Sequence, residues 1–260
     1  MNTQHMQTPS VEHFRIALLL AAGSMISVLL LMPYLFAVMP PQFEARISVP
    51  LPLFAIIQVL QAGVLLLLLG WAGLRLGYVN GLDAPLLRRW LHAGPGHPRS
   101  SRWLSSVVLG VIVGVIIILF LQALEALSPD AVPTTAAGPA WWKGLLASFY
   151  GGIVEEVLCR LFLVSLLVWL GARVLHSTAP GASVYWAAIM LAALIFGAGH
   201  LPALAQTTAL TTVAVLRTVG LNALGGFAFG WLFWRRGLEH AMVAHFSADL
   251  VLHVAAPLFP

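Results

Sequence analysis

Charge is missing from very long parts of this chain. No Asp, Glu, Lys or Arg occurs in 16–43, 47–74, 103–124 or 174–216, and each stretch exceeds the roughly 20 residues an α-helix needs to cross the hydrocarbon core of a bilayer. Of 260 residues only 8% are charged and 60% are hydrophobic, against about 25% charged in ordinary soluble domains. A water-soluble fold would lack the polar surface to cover itself. The fold class that follows is all-α, a polytopic membrane helix bundle. A single cysteine, Cys159, excludes an intramolecular disulfide, a Cys-rich zinc module and an iron–sulfur site.

Breaks at polar and Pro/Gly clusters divide the chain into about seven spans, near 15–38, 51–74, 103–125, 143–172, 183–205, 210–234 and 238–258. Half-helices at Pro202 or before Arg217 would bring the count to eight. The first apolar segment runs on to about Val38, beyond the 7 to 15 residues of a signal-peptide core, and reads as an anchor. The 75–103 connection holds Arg75, Arg88, Arg89, Arg99 and Arg102 around a short amphipathic patch at 86–91, which is expected to lie on the membrane surface. Counting Lys and Arg outside the spans gives nine on the N-terminal side, namely those five with Arg15, Arg173, Arg235 and Arg236. The opposite side has Arg46 and Lys143. The positive-inside rule then makes the N-terminal side cytoplasmic. The Ala-, Arg- and Trp-rich composition suggests a bacterial inner (plasma) membrane, with lipid as one partner and no nucleic acid.

In lipid, an ionisable side chain costs several kcal/mol unless it is paired or faces a wet cavity, so the few that lie inside spans are the informative ones. The fourth span carries Glu155, Glu156 and Arg160 in otherwise apolar sequence. Glu156 and Arg160 are four apart and can pair on one helix face. Glu155 points about 100° away and is left to face another helix or a water. Gly151 and Gly152, one turn earlier, suit either close helix packing or the approach of an extended peptide. The fifth span ends at His200. The seventh holds His245, Asp249 and His253 at i, i+4 and i+8 on one face, with His240 off that face and read as structural. Arg217 and Asn222 add a polar feature to the sixth span, either snorkelling or a contact to substrate.

Together these groups make a water-activating centre. Glu155 takes the proton of a water shared with His200, while His245, oriented by Asp249, stabilises the oxyanion on a peptide carbonyl. The same set suits a divalent metal such as zinc, with Glu155, His200 and His245 as ligands. Cys159 lacks a base on its own helix, and neither Gly-x-Ser-x-Gly nor His-Glu-x-x-His occurs.

Three motifs in order, Glu155-Glu156-x-x-x-Arg160, Phe196-x-x-x-His200 and His245-x-x-x-Asp249, resemble the CAAX-protease and bacteriocin-processing (Abi) family of glutamic-type intramembrane proteases. The resemblance covers about 141–258. The charge pattern makes 1–140 N-terminal spans with a basic cytoplasmic loop at 75–103, and the resemblance implies a catalytic membrane domain in 141–260. It also implies hydrolysis of a membrane-associated peptide or protein with Glu155 as base, His200 sharing the water, and His245 with residue 249 forming the oxyanion site; many members are labelled metalloproteases. Relatives often carry asparagine where this chain has Asp249. An ionised carboxylate cannot donate to an oxyanion, so Asp249 is protonated, orients His245 or binds a cation. The competing class is a proton- or metal-coupled transporter that uses the same buried groups.

Overall fold

The computed structural model of the protein describes residues 9–92, 103–127 and 138–258. Among them are helices and no strands, because in lipid a helix satisfies its own backbone while an open sheet leaves an unpaired edge. Six helices are long and apolar enough to cross a bilayer. They are Pro9–Val38, Leu51–Tyr78, Trp103–Leu127, Ala182–Ala198 continuing into the short helix Leu201–Thr207, Thr212–Arg236, and Leu238–Leu258. The remaining expected span is helical from 141 to 174 without a break and is set apart by its charged residues, Glu155, Glu156 and Arg160 among them. In chain order these are the first to seventh spans of a multi-pass membrane protein.

The fourth span is central. Its Val154, Val157, Leu161, Val164 and Val168 are buried, and small residues let its neighbours come close. Gly23 of the first span faces Ile153, Gly70 of the second faces Val157, and Gly152 packs against Phe246 of the seventh. The periphery is the reverse of a soluble surface. Leu53, Ile56, Leu60, Val64 and Leu68 form a stripe along the second span and are 44% to 62% exposed, an apolar face that water would not tolerate and lipid covers. Trp141 and Trp142 are exposed beside Lys143, whose ammonium lies over the Trp142 ring, as suits a headgroup boundary.

The amphipathic patch of the arginine-rich connection forms the helix Pro85–His92. Its first turn is held by a buried carboxylate: the amides of Leu86 and Leu87 both donate to Glu239 Oε1, at 2.9 and 2.8 Å. Arg88 donates twice to Asp83, at 2.6 and 2.7 Å, and pairs with Glu12 at 2.9 Å. Gly237 alone joins the sixth span to the seventh with φ +98°, and a Cβ there would strike the Pro85 ring. Only glycine meets both conditions cheaply. Arg99 and Arg102 of this connection lie outside the described residues.

Candidate active site

Glu156 and Arg160 are the most deeply enclosed ionisable residues of the fourth span, at 0% and 1% exposure. Their i, i+4 spacing puts Arg160 Nη1 3.1 Å from Glu156 Oε1. The guanidinium also lies over the rings of Phe196 and Phe229, 4.8 and 5.5 Å from their centroids. That contact compensates a desolvated cation further.

The same Glu156 oxygen reaches the seventh span and stands 2.7 Å from His245 Nδ1. Glu156, rather than Asp249, is therefore the group at Nδ1, and it accepts that proton. On the far side of the ring, Nε2 lies 3.7 Å from Glu155 Oε2 and 3.7 Å from Asp249 Oδ1. One imidazole thus spans two consecutive glutamates, although adjacent residues of an ideal helix diverge. The fourth span contains π-helical stretches at Tyr150–Glu155 and Val157–Val164, and the seventh another at Leu250–Ala255. Their i→i+5 bonding changes the angular register of side chains and recurs at functional sites. Nothing in the residue pattern announces these turns.

His200 completes the group from the fifth span. Its Nδ1 is 2.9 Å from the Phe196 carbonyl; because a carbonyl only accepts, Nδ1 carries the hydrogen and Nε2 presents a lone pair when the ring is neutral. That Nε2 stands 4.0 Å from Glu155 Oε1. His245 lies seven residues into its own span and His200 two residues past the end of its helix, yet both reach the same carboxylate. His200 stands at the turn between Ala182–Ala198 and the short helix Leu201–Thr207, which carries it to that carboxylate.

All six ionisable residues of the three motifs thus meet in one cluster. Gly151 lies against it as well: a Cβ there would overlap the Asp249 carboxylate and come within 3.1 Å of His245 Nε2. Its missing side chain makes room for the seventh span's polar groups. Phe229 is a member that sequence reasoning misses. Its ring stacks on His245 at 4.7 Å, while Phe196 meets His200 edge-on at 4.8 Å. Three other polar residues lie elsewhere. His240 bonds Ser106 at 2.8 Å and packs at a tilt on Trp103; Asn222 donates to Thr218 of its own helix at 2.8 Å; Arg217 has no ion pair among the described residues. His253 bonds Tyr34 of the first span at 3.3 Å.

Among the described residues no group of three or more His, Cys, Asp or Glu side chains stands in metal-holding geometry. The Nδ1 atoms of His245 and His200 are taken by Glu156 and by a carbonyl, while their Nε2 atoms and the Glu155 carboxylate face one another without a direct hydrogen bond.

Residues 136–251 match the family described as Rce1-like, type II CAAX prenyl endopeptidase. This segment, under half of the chain, is thus similar to the CAAX-protease family. The match takes in the fourth to seventh spans as far as Val251 and so contains the whole cluster. No curated protein and no solved structure matches the chain. The likeness suggests a protease segment in a membrane setting, for which the family implies a peptide or protein substrate.

Proposed function

We propose that the chain is an intramembrane endopeptidase that hydrolyses a peptide bond of a membrane-associated protein or peptide with a water activated by Glu155 and His200. The observation that carries this reading is the pair of gaps around Glu155, 4.0 Å to His200 Nε2 and 3.7 Å to His245 Nε2. Both are too long for a direct hydrogen bond and short enough for a water to bridge with legs of about 2.8 Å. A water between Glu155 and His200 gives one hydrogen to the carboxylate and the other to the imidazole lone pair. Its oxygen is then left to attack a carbonyl. Glu155 and His200 are 20% and 35% exposed at the side chain, the most accessible members of the cluster. They are therefore where substrate meets it.

The oxyanion that forms needs donors. His245 has given Nδ1–H to Glu156, so it donates from Nε2 only as the imidazolium. Charge balance favours that form. With Glu155 and Glu156 ionised and Arg160 and His245 cationic, the cluster is neutral when Asp249 is protonated, and a neutral carboxylic acid is itself a donor. The acid at residue 249 thereby does what asparagine does in relatives. Arg160, sealed between two aromatic faces, fixes Glu156 and through it the tilt of His245. The family match does not favour the carrier alternative.

The test is cleavage of internally quenched peptides with apolar C-terminal segments by purified protein in detergent. Glu155→Gln and His200→Ala are expected to lower the rate by about 10²- to 10⁴-fold, the usual worth of a positioned base, with chelator leaving the rate unchanged. Cleavage that survives Glu155→Gln would reject the base, and activity lost to chelator and restored by zinc would replace the water-base mechanism with a metal one.

A further inference from the structure

The third, fifth and sixth spans leave a wholly apolar groove of about 520 Å³ between them, a volume in the range of sites that enclose a small ligand. Val113 and Ala193 are buried and form its floor, while Ile112, Met190, Leu194 and Phe227 are 39% to 48% exposed and form walls that face lipid. No residue of the cluster lines it. Along the sixth span the lining runs from Gly220 to Ala228, about 12 Å of helix at 1.5 Å per residue. Toward the Arg236 end, Phe227 is braced by Trp186, whose ring stacks on it at 5.2 Å. The other end is open: a Cβ on Gly220 would meet nothing within 4 Å. One turn beyond Gly220 stands Arg217, half-buried and without an ion pair among the described residues. Helical spacing puts 217 on the face of 220, 224 and 228, and its Cα–Cβ bond tilts toward the helix start at Thr212, the direction in which an arginine reaches the headgroup layer.

A groove that faces lipid, ends on a braced aromatic ring and carries an unpaired cation at its open end is complementary to a molecule with a long apolar chain and an anionic head. We propose that it is a phospholipid-binding site, in which one acyl chain lies in the groove and Arg217 grips the phosphate. An arginine inside a span costs several kcal/mol unless it is paired, and a phosphate diester offers the guanidinium two oxygens for paired N–H bonds. A transmembrane helix would also bury these walls. Yet an apolar helix brings no anion to Arg217, and at about 10 Å across it overlies such a groove rather than entering it. Ala193 and Gly226 pack together under the floor, one turn from Phe196 and Phe229, so the bound chain buttresses the pair of helices that holds those two rings over Arg160.

The test locates the lipid and is independent of turnover. Full-length protein in maltoside detergent is irradiated with a phosphatidylglycerol that carries a diazirine at mid-chain and, in parallel, with the diacylglycerol of the same chains; labelled peptides are mapped by mass spectrometry. At equal, sub-saturating concentration the phospholipid is expected to label 190–194 and 220–228 about tenfold more than the diacylglycerol, the worth of one charged hydrogen-bond pair. Arg217→Gln is expected to remove that preference and Arg217→Lys to restore part of it. Gly220→Leu, whose side chain has open space to enter, is expected to suppress labelling of the groove by both lipids. The second-span stripe at 53–68 is the reference for ordinary lipid contact and is expected to label alike with both lipids and in every variant. Equal labelling of the groove by the two lipids, a preference that survives Arg217→Gln, or groove labelling that survives Gly220→Leu overturns the proposal. So does a groove that neither lipid labels, the result expected if a helix of a second copy covers it.

Discussion

Asp249 is the residue at which the proposed chemistry is easiest to break. It is 8% exposed and 3.7 Å from His245 Nε2; if it works as a neutral acid, asparagine preserves its donor and leucine does not. Asp249→Asn is therefore expected to keep activity within about threefold, and Asp249→Leu to lose about 100-fold, the cost of one oxyanion donor. Full activity in the leucine variant would remove residue 249 from the oxyanion site. Arg160 gives a second test. Lysine keeps the charge but neither the planar stack on Phe196 and Phe229 nor the fork, so Arg160→Lys is expected to lose most activity in the peptide assay despite conserving charge. Activity close to that of the parent protein would mean that charge alone suffices. The six ionisable motif residues are legible in the sequence because lipid makes every buried charge expensive and thus conspicuous. Phe229 is not. A phenylalanine stacked on His245 and a phenylalanine facing outward, such as Phe227 at 39% exposure, look alike when the whole span is apolar. The partner of His245 Nδ1 is hidden for a different reason: spacing pairs Asp249 with His245 along one helix, and only the packing of the fourth span on the seventh brings in Glu156.

At the scale of elements, helix existence follows from the uncharged runs, whereas the helix ends and internal registers depend on tertiary packing. The fifth helix ends at Ala198, ahead of the span expected over 183–205, because His200 and Pro202 turn the chain into a separate short helix. The π-helical stretch Tyr150–Glu155 lies where the fourth span packs on the seventh. Gly151 lies at that meeting. Gly151→Ala is expected to push the Asp249 carboxylate aside and cost roughly 100-fold in rate, as small displacements at a reacting centre do, with KM for the quenched peptide unchanged; unaltered kinetics would show that the contact has slack. The docked helix Pro85–His92 depends on Glu239 in a simpler way. Its two capped amides lose their acceptor in Glu239→Ala, and the loss is expected to lower stability by about 1 to 2 kcal/mol, read as a lower Tm in detergent. An unchanged Tm would mean that solvent takes the carboxylate's place.

The whole molecule is organised by alternation. Among the described residues, the hydrogen bonds between distant connections fall into two sets. On one side Glu239 holds Leu86 and Leu87, Arg236 bonds Ser105, and Tyr185 bonds the Asn80 carbonyl; on the other, Arg46 bonds Gln206 and Tyr34 bonds His253. Seven crossings require that arrangement. Nine Lys and Arg outside the spans on one face against two on the other lead us to propose that the richer face is cytoplasmic, with Ser48 on the opposite face. The single native cysteine makes this measurable. In a Cys159→Ala background, Ser48→Cys is expected to react with a membrane-impermeant maleimide in intact cells, and Thr178→Cys, between the fourth and fifth spans, only after lysis. The opposite pattern would invert the bundle. Labelling of both from outside would break the alternation itself, and with it the assignment of the 141–174 helix as a membrane crossing.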